Sequence, residues 1–374
     1  MKKILVLCIA LLFMFISSSS HHMLMGADTP RIQIAILLDT SNSMDGLINQ
    51  AKSRLWSIVN EMAMARKQNA VPRLEVALFE YGNDSLSAES NYVRRVTPLT
   101  SDLDAISQAL FGLTTNGGSE YCGAVIQEAV DRLEWTNGKN DLQLIFIAGN
   151  EPFSQGPIDY RKSCKSAISR GITVNTIFCG DLQNGINTMW NDGALLADGS
   201  YSNIDQNRQL VHISAPQDKK ILALGKELNE TYIPFGTEGI KRKAMQKKQD
   251  EEAGAIHEEV AVQRSVAKSS SYYTNTGWDL VDAVDNGNAK LSEIPGEKLP
   301  ANMRKMNVKE RELYVQKMKK KRSVLQEKIN TLNRERSEYI AAKNSEQSDE
   351  NTLNNALLKV LRQQARKKHF TFTK

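Results

Sequence analysis

Ile32-Gln33-Ile34-Ala35-Ile36-Leu37-Leu38 runs directly into Asp39-Thr40-Ser41-Asn42-Ser43. The first seven residues are almost continuously apolar and of strand length. That is the pattern of a strand buried on both faces, as in a parallel sheet. The next five are polar, and Leu47, Ala51, Leu55, Val59 and Met62 follow at helical spacing. Strand, polar turn and helix together form the repeating unit of an α/β fold.

The same alternation continues outward. Leu74 to Tyr81, Tyr92 to Val96, Leu142 to Ile147 and Ile172 to Phe178 read as strands. Leu103, Ile106 and Leu110 mark a short helix, and Ala124, Val125, Ala129 and Leu133 a longer one. Tyr160 to Arg170 reads as a helix stopped by Gly171, and Lys219 to Leu228 as another. Thr231-Tyr232-Ile233 is expected to add a last short strand. These elements predict a doubly wound, mostly parallel sheet flanked by helices. Such sheets bind ligands beyond the carboxyl ends of their strands, here the loops after Leu38, Leu113, Ile147 and Phe178.

Composition narrows the function. Hydrophobic residues make up 41 % and charged residues 24 %, which excludes a wholly disordered chain and an integral membrane protein. Four cysteines in 374 residues exclude a disulfide-built scaffold, and five histidines argue against a His-rich metal or catalytic centre. No C-x-x-C, H-E-x-x-H or P-loop string occurs. Met1-Lys2-Lys3, the apolar run Ile4 to Ile16 and the small residues Ser17 to Ser20 form a signal-peptide pattern, placed at residues 1–27. The protein is therefore expected to be exported, to the periplasm or beyond the cell.

Charge and texture change after Gly236. From Ala301 to Lys374 there are 19 Lys+Arg against 8 Asp+Glu, while residues 1–300 carry 29 against 35: an acidic body with a basic tail. Residues 237–300 read as a charged, polar linker with short helical pieces. Residues 301–343 read as a long amphipathic helix. Val308, Val315 and Ile329 share one heptad position; Met318, Leu325, Leu332 and Tyr339 share another, with Arg322 and Arg336 interrupting the first set. The seam is covered either by another copy, as a coiled coil, or by the body or an envelope partner, and the two arginines favour the body or a partner over a stable homodimer. Residues 344–374 read as a solvated basic helix; nucleic acid is not expected as a partner of an exported protein.

The polar turn carries the chemistry. Asp39, Ser41 and Ser43 form D-x-S-x-S at the carboxyl end of a strand. One carboxylate and two hydroxyls suit a hard divalent cation, which takes oxygen ligands and retains water. With a single negative charge around it, such an ion seeks an outside anion. The other role for these residues is a helix N-cap with a polar turn.

These residues and the α/β order resemble the von Willebrand factor A domain family, whose members carry a metal-ion-dependent adhesion site. The resemblance covers residues 31–236. It implies Mg²⁺, or Mn²⁺ or Ca²⁺, as cofactor, and a protein partner offering a carboxylate. The family's second loop is Gly-Gly-Thr; here Gly117-Gly118-Ser119 puts Ser119 at the threonine position, with Thr114 and Thr115 as alternatives. The family's third loop is Thr-Asp-Gly after the fourth strand. Here Ala148-Gly149-Asn150-Glu151 departs from it, so Asn150 or Glu151 is expected to supply the missing oxygen. An Asp at position 149 is expected to tighten the site. The tail resembles those of bacterial exported proteins of this family, which implies no activity.

Three function classes follow. The leading one is a non-enzymatic, metal-dependent protein-binding module for adhesion or scaffolding. The second is a structural envelope protein with a degenerate metal site. The third is a metal-dependent phosphoester hydrolase using Asp39; haloacid-dehalogenase-type enzymes resemble that placement but need an Asp where Ser41 stands. Among the cysteines, either Cys164 and Cys179 are bridged, both being expected at one edge of the sheet, or Cys122, Cys164 and Cys179 are buried thiols. Trp56 and Trp190 are expected in the core.

Overall fold

The structure, a computed structural model, describes residues 29–44, 55–138, 140–204, 213–346 and 353–372. The expected signal peptide and the first half of the first helix lie outside the described residues.

The central strand is β1 (Arg31–Asp39), the run that opens the sequence. It pairs in parallel with β3 (Arg73–Tyr81) on one side and β5 (Leu142–Gly149) on the other. Ile34 thereby faces Val76 and Leu144 in register. β6 (Thr173–Cys179) and β7 (Tyr201–Ile204) continue the parallel sheet, and β4 (Val93–Thr100) closes the far edge antiparallel. The order β4-β3-β1-β5-β6-β7 reverses direction at β1, so the carboxyl ends of β1 and β5 form the switch point where α/β sheets bind ligands.

Alternation along each strand separates two cores. Ala35, Leu37, Ile145, Ile147, Val174 and Phe178 face α3 (Cys122–Arg132) and α4 (Tyr160–Ser169). Ile32, Ile34, Leu38, Leu144, Ile177 and Cys179 face the opposite side. There lie the helix at 55–63 (α1), α2 (Leu103–Phe111) and α7 (Asp218–Asn229), together with the C-terminal third of the chain. Two short helices, α5 (Leu182–Asn187) and α6 (Trp190–Leu195), follow β6. Trp56 and Trp190 are both fully buried, as the sequence predicts.

Several expectations need correction. Thr231-Tyr232-Ile233 is not a strand of the sheet; the last strand is β7, and Pro234 only bridges Asp279. Residues 237–300 are not a linker. α8 (Gly236–Ile256) and α9 (Glu258–Ser269) pack side by side, and Ala253, Val260, Val262, Val266 and Ala267 share the core of the sheet. Their charge is partly turned inward. Arg264 is 1 % exposed and pairs with Asp104 of α2 and Asp250 of α8, while Lys268 pairs with Asp250. The basic end of the chain is not solvated either. α12 (Leu353–Lys367) buries Leu361 and Ala365 and exchanges amide hydrogen bonds between Gln364 and Asn175 of β6. Beyond it β8 (Thr371–Phe372) pairs antiparallel with β2 (Ala65–Arg66).

The predicted long helix is continuous as α11 (Val308–Glu346), free of Gly and Pro. Its seam faces this chain, not a second copy: α11 packs on α7, α9 and α10 (Leu280–Asp285). Val315, Leu325 and Ile329 are buried. Arg322, in the seam, donates to Asp279 and Asp282 at 2.7 Å each and to the Thr231 carbonyl at 2.8 Å, and its guanidinium lies 4.0 Å from the Tyr232 ring centroid. Arg336 donates to Asp218 at 2.6 Å.

Asp279 is fully buried, so Arg322→Ala strands a carboxylate without its counter-charge. The expected loss is about 3–5 kcal/mol in urea unfolding. With the seam covered, the wild-type chain is expected to sediment as a monomer.

Candidate functional site

Three loops meet at the switch point. The first follows β1, where Asp39 is fully buried. Its Oδ1 accepts the Ser41 backbone N–H at 2.8 Å, which closes the polar turn. Its Oδ2 is buried without a hydrogen-bond partner. The Ser41 and Ser43 hydroxyls lie 3.0 Å apart. Thr40, between Asp39 and Ser41, points back to the β3 end through the Tyr81 carbonyl and Glu80.

The second loop, 114–121, is tied to the first by backbone and amide contacts. Asn116 N–H donates to the Thr40 carbonyl, and the Asn83 side chain donates to the carbonyls of Thr40 and Thr114. Ser119 is half-buried, Thr114 exposed and Thr115 half-buried. The residue missed by the sequence reading is Glu120. It is 6 % exposed, and the Ser41 hydroxyl is close enough to favour its charged form. Gly82, at φ +76°, stands between the two acids: a Cβ there would sit 2.8 Å from Glu120 Cγ and 2.9 Å from Asp39 Oδ1. Only glycine permits both this backbone and this approach. The signal was an acidic residue directly after Gly-Gly-Ser, in a loop already assigned to the site.

The third loop follows β5. Asn150 Oδ1 accepts the Ser43 hydroxyl at 3.1 Å, so one of the two proposed substitutes reaches the turn. Glu151 lies close enough for its charge to act on both Asp39 and Glu120. Its carbonyl accepts the Trp190 indole N–H at 2.8 Å, and Phe153 N–H donates to the Thr188 carbonyl, which pins the loop to α5 and α6. Gly149 leaves no room for the side chain that the family places there. A Cβ would stand 2.5 Å from Tyr81 Oη, 3.0 Å from the Trp190 ring and 3.1 Å from Asp39 Oδ2. Tyr81 Oη is itself committed to the Ala148 carbonyl at 3.0 Å. The expectation that an Asp at position 149 tightens the site is therefore corrected.

Electrostatics mark the turn. Burial pushes Asp39 up to about 7 against the pull of its Ser41 hydrogen bonds, and the Glu120 and Glu151 carboxylates push the same way. Glu120 is raised too, first by burial and then by Glu151 and Asp84. Among the described residues no three His, Cys, Asp or Glu side chains form a ready-made metal cluster. The donors are instead one buried carboxylate and paired hydroxyls. Cis ligands of an octahedral ion with bonds of about 2.1 Å stand about 3 Å apart. The Ser41 and Ser43 hydroxyls have that separation, and the orphaned Asp39 Oδ2 marks an unmet negative charge beside them. The residues fit a small hard cation.

The Cys164–Cys179 bridge is not present. Cys164 packs on the α3–α4 side of the sheet and Cys179 on the other, because Cys179 follows Phe178 and points to the opposite face. Both are buried, as is Cys122, and burial pushes the Cys164 thiol up to about 12. These are core groups.

Residues 33–213 match the family model of the von Willebrand factor type A domain, a little under half of the chain. No curated protein matches the sequence. Among solved structures, the chain is similar to BatB from Bacteroides thetaiotaomicron, with 17 % identity over 46 % of this chain and 90 % of that one, and a TM-score of 0.36. It is similar to the von Willebrand domain of the type V pili tip protein Mfa5 from Porphyromonas gingivalis, with 13 % identity over 48 % and 90 % and a TM-score of 0.33. It is also similar to proximal thread matrix protein 1 from the mussel byssus, a structure with a zinc-occupied adhesion motif. Identity there is 12 %, over 48 % of this chain and 43 % of that one, with a TM-score of 0.36.

Two outcomes follow. Asp39 binds its proton more tightly folded than unfolded, so stability of metal-free protein falls as pH rises from about 4 to about 7 through this group. Asp39→Asn removes that penalty. In chelator it is expected to melt above wild type at pH 8, by on the order of a few kcal/mol, and to converge with it near pH 4. Gly149→Asp is expected to cost about 1–3 kcal/mol by overpacking against Tyr81 and Trp190, read as a lower urea midpoint.

Proposed function

We propose that the von Willebrand factor type A domain which this chain carries at residues 33–213 is a cation-dependent protein-binding module, acting outside the cytoplasm and without turnover. Asp39, Ser41, Ser43 and Ser119 would hold Mg²⁺, with Mn²⁺ or Ca²⁺ as substitutes, and Asn150 and Glu151 would serve the third loop. When bound, the ion would offer an open position to a carboxylate from a protein partner. The observation that carries this reading is the fully buried Asp39, with one oxygen unpartnered, at the carboxyl end of the central strand beside two hydroxyls 3.0 Å apart. The chain's residues set the orientation. Asp39 Oδ1 fixes the turn through the Ser41 N–H, Asn150 accepts the Ser43 proton, and Asn83 and Asn116 hold the second loop against the first.

One observation favours a second reading, a structural envelope protein whose metal site has decayed: the third loop carries glycine at position 149, with its space filled by Tyr81 and Trp190. Calorimetric titration separates the two. The proposal expects saturable binding of Mg²⁺ or Mn²⁺ by the wild-type chain and none by Asp39→Ala. Equal binding, or none by either, favours the decayed site.

A further inference from the structure

We propose that Glu120, from the second loop, supplies the negative charge which the third loop has lost, so that the cation site of this chain is charged from the opposite side. The inference rests on the cation-binding reading above and adds to it a residue outside the resemblance's ligand set.

Three observations place Glu120 in that role. First, Glu120 is almost wholly buried, and its side chain lies next to Gly82 and close to the Ser41 hydroxyl, the middle residue of the polar turn. A serine hydroxyl has one proton and two lone pairs. With the Ser41 proton turned to a neighbouring carboxylate and the Ser43 proton given to Asn150, both oxygens would keep lone pairs for the gap beside them. Second, the approach of Glu120 to Asp39 is built into the backbone. Gly82 has neither side chain nor ordinary φ, and Gly118 passes so close that a Cβ on it would meet the Gly82 carbonyl at 2.0 Å. The Glu120 N–H is held by Gln155 at 2.8 Å. A surface glutamate would need none of this. Third, the alternative position is filled: at Gly149 a Cβ would stand 2.5 Å from Tyr81 Oη, so a side chain there has to displace that ring.

Desolvation and mutual repulsion make the arrangement costly when empty. Two buried carboxylates lie about the turn, with Asp39 Oδ2 unpartnered, and among the described residues no cationic side chain pairs with either. Buried acids of one sign are tolerated where a cation, or protons, neutralise them. A divalent ion beside the two hydroxyls would neutralise both.

The test uses the full chain and titration with MgCl₂ and MnCl₂ by calorimetry, with Mn²⁺ spin resonance as a second readout. Glu120→Gln keeps the shape and removes the charge; the expected loss of affinity is about ten- to hundredfold, with the circular dichroism unchanged. Asp84→Asn, which removes a neighbouring acid not bonded to the turn, is expected to bind as wild type. Asn150→Asp added to Glu120→Gln returns a carboxylate beside Ser43 and is expected to recover most of the loss. Should Glu120→Gln not fold, Glu120→Asp, which withdraws the charge by one methylene, is expected to give a smaller loss in the same direction. Wild-type affinity in Glu120→Gln, or in Glu120→Asp where that variant is used, with binding still abolished by Asp39→Ala, overturns this inference alone. Absence of binding by wild type overturns it together with the reading on which it rests.

Discussion

A parallel sheet that is apolar on both sides has to be covered on both sides, and the rest of this molecule follows from that requirement. β1, β3 and β5 present buried residues at almost every position. On one face α3, α4 and the short α6 with Trp190 provide the cover. On the other, α1, α2 and α7 are joined by α8, α9, α11 and α12, which fill a single core with Ile32, Ile34 and Leu144. The C-terminal third is thus a wall of the domain. Its position is specified by charge. Arg322, Arg336 and Arg362 each pair with an acid that lies elsewhere in the chain, Asp279, Asp218 and Glu61 respectively. Arg322 and Arg336 are almost fully buried, and a buried guanidinium with a fixed fork tolerates few positions of its partner. They fix where along the body the long helix sits more sharply than apolar contact would.

What could be read in the sequence and what could not divide along the range of the interactions. β1, its turn and the strands up to β6 are signalled by local runs of apolar residues, so the α/β architecture was legible. The polar strand β7, Tyr201-Ser202-Asn203-Ile204, carries no such run and exists because it pairs with β6 at the edge. Thr231-Tyr232-Ile233 has strand-like residues, yet Tyr232 belongs in the core beside Tyr273 and Trp278. The segment 237–300 looked like a linker because its buried faces are polar. Gln246, Gln249, Arg264 and Lys268 are all almost inaccessible, and each is satisfied by a residue distant in sequence or on a neighbouring helix. Hydropathy registers the cost of burying such groups and is blind to the partners that offset it. The heptad seam of α11 was legible as a seam; what covers it was not, although its two arginines pointed away from a dry homodimer.

The site shows the same division at smaller scale. The D-x-S-x-S turn is local, and Asp39 closes it with its own neighbour's N–H. The third loop is decided by Tyr81 and Trp190, which come from a different strand and a different helix and occupy the space beside Gly149. No spacing rule connects those three positions. Glu120 was hidden for a related reason: its proximity to Asp39 depends on Gly82, a third segment that contributes only the absence of a side chain.

Charge links the two ends of the argument. The tail is basic and the body acidic, so the obvious way to quiet the acids at the switch point would be to bring tail arginines to them. The fold does not. Arg322 and Arg336 meet Asp279 and Asp218 through the far side of the tail's packing, and Arg362 meets Glu61 of α1. Among the described residues no ion pair involves Asp39, Asp84, Glu120 or Glu151. Among the described residues, a chain with a surplus of cationic side chains therefore leaves a fully buried carboxylate, raised to about 7, without any of them. Interiors this closely paired elsewhere do not leave one acid unmet for want of lysine or arginine. The exception lies where three loops open at the end of the sheet, which is where an α/β sheet takes its ligands.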